Sequence, residues 1–288
     1  MAAFSDFCLP AEDETTEDAL TLAIKRTIGY ECVGLNVLLK DLKGKGASQT
    51  TIPTPKKYEL RKSDIQFLKK KRRSLTQFSR LTATIEDPSQ THKLGSPEVQ
   101  AYDLVAVEPT SEKTFHMACA VLNVDIISVD MTEKMPYYFK KPSINMAVER
   151  GIHFEIKYSP TVRDSTLRRN VIASAISLAE VTKGKNIILS SGCEMAMELR
   201  GPYDVINLGL MFGLNHENAK NAVAKNCRAV LKHADSRKIS KSVISVSKLP
   251  ASGNTWTMDK YGSSVLAEDD STEDEPKKKR KKKKGKNK

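Results

Sequence analysis

The residues best placed to hold a ligand are arginines at two strand-to-helix junctions. The segments from Tyr158 to Arg169 and from Arg200 to Asp204 each join an apolar strand-like run to the start of a helix, where α/β barrels place function. Arg200 precedes Gly201 and Pro202, so a guanidinium sits beside the unpaired amides of a helix N-terminus, an anion site by geometry and dipole. The plainer alternative is a turn made by Gly201 and Pro202, with Arg200 and Asp204 paired to each other. The other segment offers Arg163, Ser165, Thr166, Arg168 and Arg169, donors enough for a phosphate or a carboxylate. Arg168 and Arg169 diverge by about 100° on a helix, so solvated or internally paired arginines are the competing reading.

Carboxylates supply the enzymatic alternative. Asp6, Glu86 or Asp87, Glu108 and Asp130 fall at strand ends and could converge on a divalent metal in a barrel mouth, giving an autonomous phosphoesterase. Zinc or manganese sites usually add histidines. His92, His116, His153, His216 and His233 form no H-x-H or H-x-x-x-H pair. Helix capping or pairing with Lys and Arg would account for the same acids. With no recognisable nucleophile pair and no glycine-rich nucleotide loop, the expectation is a chain that holds an anion without a catalytic residue, a metal or a cofactor.

The elements that must position these groups alternate between short apolar runs and longer helical ones, as parallel strands with crossover helices do. Strands are predicted at Phe4 to Asp6, Cys32 to Leu38, Arg80 to Ile85, Leu104 to Glu108, Ile126 to Val129, Phe154 to Lys157 and Ile187 to Ser190. They number seven, and their nearly continuous apolar character suits a sheet covered on both faces. Thr15 or Thr16 can cap a helix carrying Leu20, Ala23, Ile24 and Ile28 and closed by Gly29. Ser111 starts another, with Phe115, Ala118, Cys119 and Leu122 on one face. Ser143 precedes a short helix ending at Gly151. Asp164 or Ser165 caps the next, which buries Leu167, Val171, Ala175 and Leu178 and stops at Gly184. Pro202 opens a helix stopped by Gly213, and Asn215 opens a last one through about Leu231. The fold class is α/β, a TIM-barrel-like parallel (β/α) barrel.

One barrel domain is expected over residues 1–247, with an inserted basic loop at 40–77 and a disordered tail over 248–288. Charge follows that division. The formal net charge is +12, but ten basic residues lie within Lys277 to Lys288, after six acids between Glu268 and Glu275. Nine more basic residues fall within Lys56 to Arg73, among them Lys69, Lys70, Lys71, Arg72 and Arg73. The remaining body is close to neutral, so the cationic character sits on a loop and a tail, as in appendages that touch a polyanion. Lys277, Lys278, Lys279, Arg280 and Lys281 read as a nuclear import sequence; a solubilising polyelectrolyte would look alike. The five cysteines are scattered without a C-x-x-C, which suits a reducing compartment. The absence of a leader or an apolar span predicts a soluble, non-secreted chain. Tyr137, Tyr138 and Phe139, flanked by Lys134, Lys140 and Lys141, could stack bases beside phosphate contacts or anchor a loop or protein interface.

The segments Met131 to Pro142, Tyr158 to Pro160 with Asp164 to Arg169, and Arg200 to Gly213 closely resemble the thirty-kilodalton protein-subunit family of eukaryotic nuclear ribonuclease P and ribonuclease MRP. The likeness extends from about Phe4 to Lys238. That family's fold is similar to the polymerase and histidinol phosphatase barrels, phosphoesterases whose first strand bears a metal-binding H-x-H. This chain has Phe4-Ser-Asp-Phe7 there. The resemblance implies a non-catalytic subunit supporting a catalytic RNA in 5′ maturation of precursor tRNA, and in rRNA processing, in the nucleus and nucleolus. Implied partners are ribonuclease P and MRP RNA, a small subunit of RNA-recognition fold, other ribonuclease P proteins and a possible second copy of the chain; no membrane is implied. On that basis the expected RNA-binding residues are Arg163, Arg168, Arg200, Lys220 and the run from Lys69 to Arg73, with Asp204 orienting Arg200.

Overall fold

A computed structural model describes residues 4–11, 30–40, 52–71 and 74–239. Among them are seven strands: β1 (Phe4–Pro10), β2 (Tyr30–Leu39), β3 (Thr76–Ile85), β4 (Leu104–Pro109), β5 (Ile126–Ser128), β6 (His153–Lys157) and β7 (Ile187–Ser190). They pair in parallel in sequence order. The residues just after β7 bring the sheet back onto β1. Gly192 N–H and Ser191 Oγ both donate to Cys8 O, at 3.1 and 2.9 Å, making a nearly closed barrel. β1 bulges at this seam: Asp6 faces Val33 whereas Leu9 faces Leu35, three steps on one strand against two on the other.

Strand alternation sends side chains to two sides. On the outside, Val33, Leu81, Val105, Ile127, Phe154 and Leu189 join one large core with Phe115, Ala118, Val171 and Leu178 of the surrounding helices. Inside, Phe7, Cys32, Phe78, Leu104, Ile126 and Ile188 form a second apolar layer. One position further along the same face of β3 stands Arg80, and the same step on β5 and β7 brings Ser128 and Ser190, so the interior turns polar towards the C-terminal ends of the strands. Gly34 faces this interior where Phe7 crosses it; a Cβ there would lie 2.6 Å from Phe7 O.

The helices are α1 (Lys62–Lys71), α2 (Pro97–Gln100), α3 (Glu112–Ala120), α4 (Lys141–Glu149), α5 (Ser159–Arg163), α6 (Ser165–Thr182), α7 (Pro202–Met211), α8 (His216–Ala222) and α9 (Lys225–Ile239), with 3-10 turns at Pro88–Gly95 and Ala196–Glu198. Ser111 caps α3, accepting from Thr114 N. Asp164 caps α6, accepting from Thr166 N and Leu167 N at 2.8 and 3.2 Å. α6 ends through Lys183 and Gly184, both left-handed at φ 55° and 71°, the conformation glycine adopts most easily.

Several expectations need correction. Ser143 is buried inside α4, whose N-cap is Lys140, because Pro142 belongs in the first turn. The last helix is two, α8 and α9, broken where Val223 O accepts the Ser5 amide at 2.9 Å. The described part of the 40–77 insertion carries a short helix, α1, and the start of β3. It is also tied down, since Gln77 bonds both Tyr58 N and Tyr58 O, and Tyr102 Oη donates to Pro53 O. The helix expected near residues 15–28 lies outside the described residues.

α9 closes the N-terminal end of the barrel. Its Cys227, Val230, Leu231 and Ala234 enter the interior apolar layer. Arg237 Nε binds the fully buried Asp125 at 3.0 Å, and His233 Nδ1 lies 2.8 Å from the same carboxylate. Asp125 also accepts Val105 N, so one buried acid ties the closing helix to the strands.

Candidate functional site

The polar half of the barrel interior is occupied by an ion pair. Arg80 Nη1 and Nη2 donate to the two Glu155 carboxylate oxygens at 2.5 and 2.6 Å, both side chains fully buried. Arg80 also donates to Phe7 O at 3.0 Å and Thr82 Oγ1 at 3.1 Å. Burial, the largest single effect, would raise the Glu155 pKa, yet the Arg80 charge and hydrogen bonds together with Lys157 and Ser190 outweigh it and hold the carboxyl at about 2. A two-point fork of this kind satisfies both ions in a low-dielectric space. Nearer the mouth, Lys157 Nζ meets Glu108 Oε2 at 2.5 Å. Sequence reasoning missed Arg80 and Glu155 as partners. The available signal was a charged residue at an inward-facing position in each of two strands.

Of the carboxylates proposed for a metal, Glu86, Glu108 and Asp130 line one mouth cleft, which Asp6 and Asp87 do not join. Asp6 is buried and accepts the amides of Cys8 and Ser191, which fastens the β1 bulge to the end of β7. Its pKa is raised to about 6 by burial, only partly countered by those amides. Asp87 caps the 3-10 turn, accepting from Ser89 N. Glu108 pairs with Lys157, and Asp130 accepts Thr132 N and Oγ1. Asp87 and Glu108 thus do the capping and pairing of the plainer alternative, while Asp6 and Asp130 accept from nearby amides and a hydroxyl. Among the described residues no three His, Cys, Asp or Glu side chains are grouped to hold a metal ion.

The junction arginines gather at the C-terminal ends of β6 and β7, but mostly face inward partners. Arg163 grips Glu198 through Nε (2.8 Å) and Nη2 (3.0 Å) and meets Glu194 at 2.7 Å. Arg168 Nε donates to Thr161 O at 2.6 Å; its residue is otherwise exposed. Arg200 Nη1 donates to Met197 O and Leu199 O at 2.7 and 3.1 Å. Asp204 is exposed and is not among these acceptors, so neither the expected pairing nor the orienting role for Asp204 is present. Two buried tyrosines hold the Arg200 backbone instead: Arg200 N–H donates to Tyr158 Oη at 3.0 Å, and Tyr30 Oη donates to Arg200 O at 3.1 Å.

The other basic residues lie elsewhere. Lys69 and Lys70 are exposed near the end of α1, which leads into the N-terminal end of β3. Exposed Lys220 is close to the end of α8, beside the Val223 contact to the start of β1. These lysines therefore point to the barrel end opposite the junction arginines. Arg72, Arg73 and the tail with Lys277 to Lys281 lie outside the described residues.

The aromatic loop divides. Tyr137 and Phe139 are buried against Phe115, as the anchoring reading requires, while Tyr138 is 89% exposed. A mouth cleft of about 460 Å³ on one side of the loop carries Glu86, Glu108, Asp130 and Glu133 against Lys40 and Lys134. A second cleft, of about 340 Å³, lies between the loop and α6.

Seven parallel strands ringed by helices, with a forked ion pair inside and arginines at the strand ends, define a TIM-barrel-like α/β protein. Residues 3–239 match the family model described as RNase P subunit p30, and the chain belongs to that family. It is 41% identical over 252 residues to the mouse ribonuclease P protein subunit p30, covering 87% of this chain and 92% of that one. A budding-yeast relative, the ribonuclease P/MRP protein subunit RPP1, is 31% identical over 160 residues, 56% of this chain and 54% of that one. Among solved structures, a chain of an archaeal ribonuclease P with mature tRNA superposes with a TM-score of 0.59 at 13% identity. It covers 88% of this chain and 100% of the other, a likeness of fold.

Proposed function

We propose that this chain is a protein subunit of ribonuclease P, and of ribonuclease MRP, that performs no chemistry itself and supports an RNA that matures the 5′ ends of precursor tRNA. The family match across residues 3–239 carries the reading. It is supported by the names of the mouse and yeast relatives, and by a barrel interior whose polar level is filled by an arginine-carboxylate fork. Arg163, Arg168 and Arg200 would meet RNA at one end of the barrel. Lys220 and the run from Lys69 to Arg73 would meet it at the other, lowering repulsion between crowded phosphates. A small subunit of RNA-recognition fold, other ribonuclease P proteins and a second copy of the chain are the proposed protein partners. Lys277 to Lys281 would direct it to the nucleus and nucleolus.

Particles recovered through a tag on the full chain test this. They should contain ribonuclease P RNA and cut the leader from precursor tRNA, whereas the purified chain alone should leave phosphodiesters intact in magnesium or manganese. Turnover by the lone chain that disappears in Asp6→Ala would overturn the reading.

A further inference from the structure

We infer that the cleft between the 131–139 loop and α6 receives a nucleobase of single-stranded RNA, stacked on Tyr138. This rests on the RNA-subunit reading above and gives it a specific site. Tyr138 stands 89% exposed although both of its neighbours, Tyr137 and Phe139, are buried. Their burial fixes the backbone on either side and holds the middle ring outward, so the stacking surface is in place before a ligand arrives. Pro136 lies on the same wall, and the cleft of about 340 Å³ falls within the roughly 300–1,000 Å³ of small-ligand sites.

The opposite wall is polar and helical. Asn170, Ser174 and Ser177 of α6 line it, and their spacing places them on one helix face, away from buried Val171, Ala175 and Leu178. Asn170 Nδ2 donates to Thr132 O at 2.8 Å, which fixes the amide and leaves Oδ1 to accept. A platform facing an acceptor and two hydroxyls suits the flat face and hydrogen-bonding edge of a base. An exocyclic amino group of adenine, cytosine or guanine would complement Oδ1, as would the ring N–H of guanine or uracil.

Charge favours an anionic occupant over a purely apolar one, and the aromatic platform favours a nucleic acid among anions. Lys134 is the charged residue of this cleft, and exposed Lys141 and Arg169 flank its two walls in sequence. Beyond the loop, Glu86, Asp130 and Glu133 of the mouth cleft, besides the Lys157-paired Glu108, repel phosphate, so a strand passing Lys134 is held to the α6 side. Stacking plus a nearby cation is how single strands are held without a duplex.

The test uses the full chain and fluorescein-labelled single-stranded oligoribonucleotides, oligo(A), oligo(C) and oligo(U), titrated across salt. Tyr138→Ala should weaken oligo(A) binding roughly five- to hundredfold with an unchanged salt slope, while Tyr138→Phe retains it. Lys134→Gln should make the slope shallower by about 0.7. Asn170→Ala should weaken oligo(A) binding by removing the acceptor for its amino group. Because Tyr138 is exposed, its substitution leaves the fold intact, which circular dichroism verifies. Wild-type binding unaffected by Tyr138→Ala would overturn this site alone, as would a crosslink from position 138 to protein in the assembled particle. Absence of any wild-type RNA binding would overturn the RNA-contact reading and this site together.

Discussion

Arg80 and Glu155, 75 residues apart in sequence, meet inside the barrel as a fully buried two-point fork. The pair sits at the level where the interior passes from apolar to polar, and Arg80 also holds the carbonyl of Phe7. It thus links β3, β6 and the bulge of β1. Isolating either charge is far costlier than removing both. Arg80→Met or Glu155→Leu alone should lower stability by about 3–5 kcal/mol, and the double substitution should recover most of that loss. Urea unfolding of the four proteins in a double-mutant cycle measures it; additive losses would contradict the coupling.

Asp6 gives the seam between β1 and β7 a pH dependence. Its folded pKa of about 6 lies above the ordinary 3.8 because of burial, so the fold favours the protonated acid. Its contribution is therefore fully present below about pH 4 and is lost as pH rises through about 6. Asp6→Asn keeps an acceptor for the Cys8 and Ser191 amides and should flatten this part of the profile. Glu155 acts oppositely: with a folded value of about 2 against 4.5, its contribution is present above pH 4.5 and lost towards 2. Differences in Tm between wild type and Asp6→Asn at pH 4 to 7 check the sign.

Gly34 is required by proximity. A methyl group there would meet Phe7 O at 2.6 Å and Phe7 Cα at 2.8 Å, atoms of backbone that cannot swing aside. Gly34→Ala should destabilise by about 1–3 kcal/mol, through displacement of β1 from β2. Thermal unfolding gives the loss, and faster amide exchange in β1 than in β5 would localise it.

Arg163 and Arg168 should separate in an RNA titration. The Arg163 guanidinium is neutralised by Glu198 and Glu194, whereas Arg168 binds a neutral carbonyl and keeps its full charge. Arg168→Ala should therefore reduce the salt slope of RNA binding by about 0.7–0.9. Arg163→Ala should change it less and mainly loosen the Ala196–Glu198 turn. Equal slope changes would refute the distinction.

All five cysteines are buried, and burial raises the thiols of Cys8, Cys119 and Cys193 to about 12 and Cys32 to about 11. Thiolate is the nucleophile, so iodoacetamide at pH 8 should leave the native chain unlabelled and modify it on unfolding. Labelling rates across a urea series should track the global transition.

Local pattern was enough for most of the architecture. The apolar runs at Leu104 to Glu108 and Ile187 to Ser190 became strands almost residue for residue, and Ser111, Asp164 and Pro202 opened helices as their chemistry requires. Where neighbours in space decide, the pattern failed. Ser143 looked like a cap but is buried within α4, and the break before Lys225 exists because Val223 O is needed by β1.

The candidate site shows the same division more sharply. Residue types and spacing determined that positive charge clusters at strand-to-helix junctions and that no histidine pair begins the first strand, since both are properties of adjacent residues. Only the tertiary structure decided that Arg163 is held by Glu198, that Arg200 turns to carbonyls instead of Asp204, and that Tyr138 faces out while Tyr137 faces in. The reason is geometric. Periodicity tells which side of an element a residue occupies, but an ion pair or a cleft depends on which distant element packs against that side.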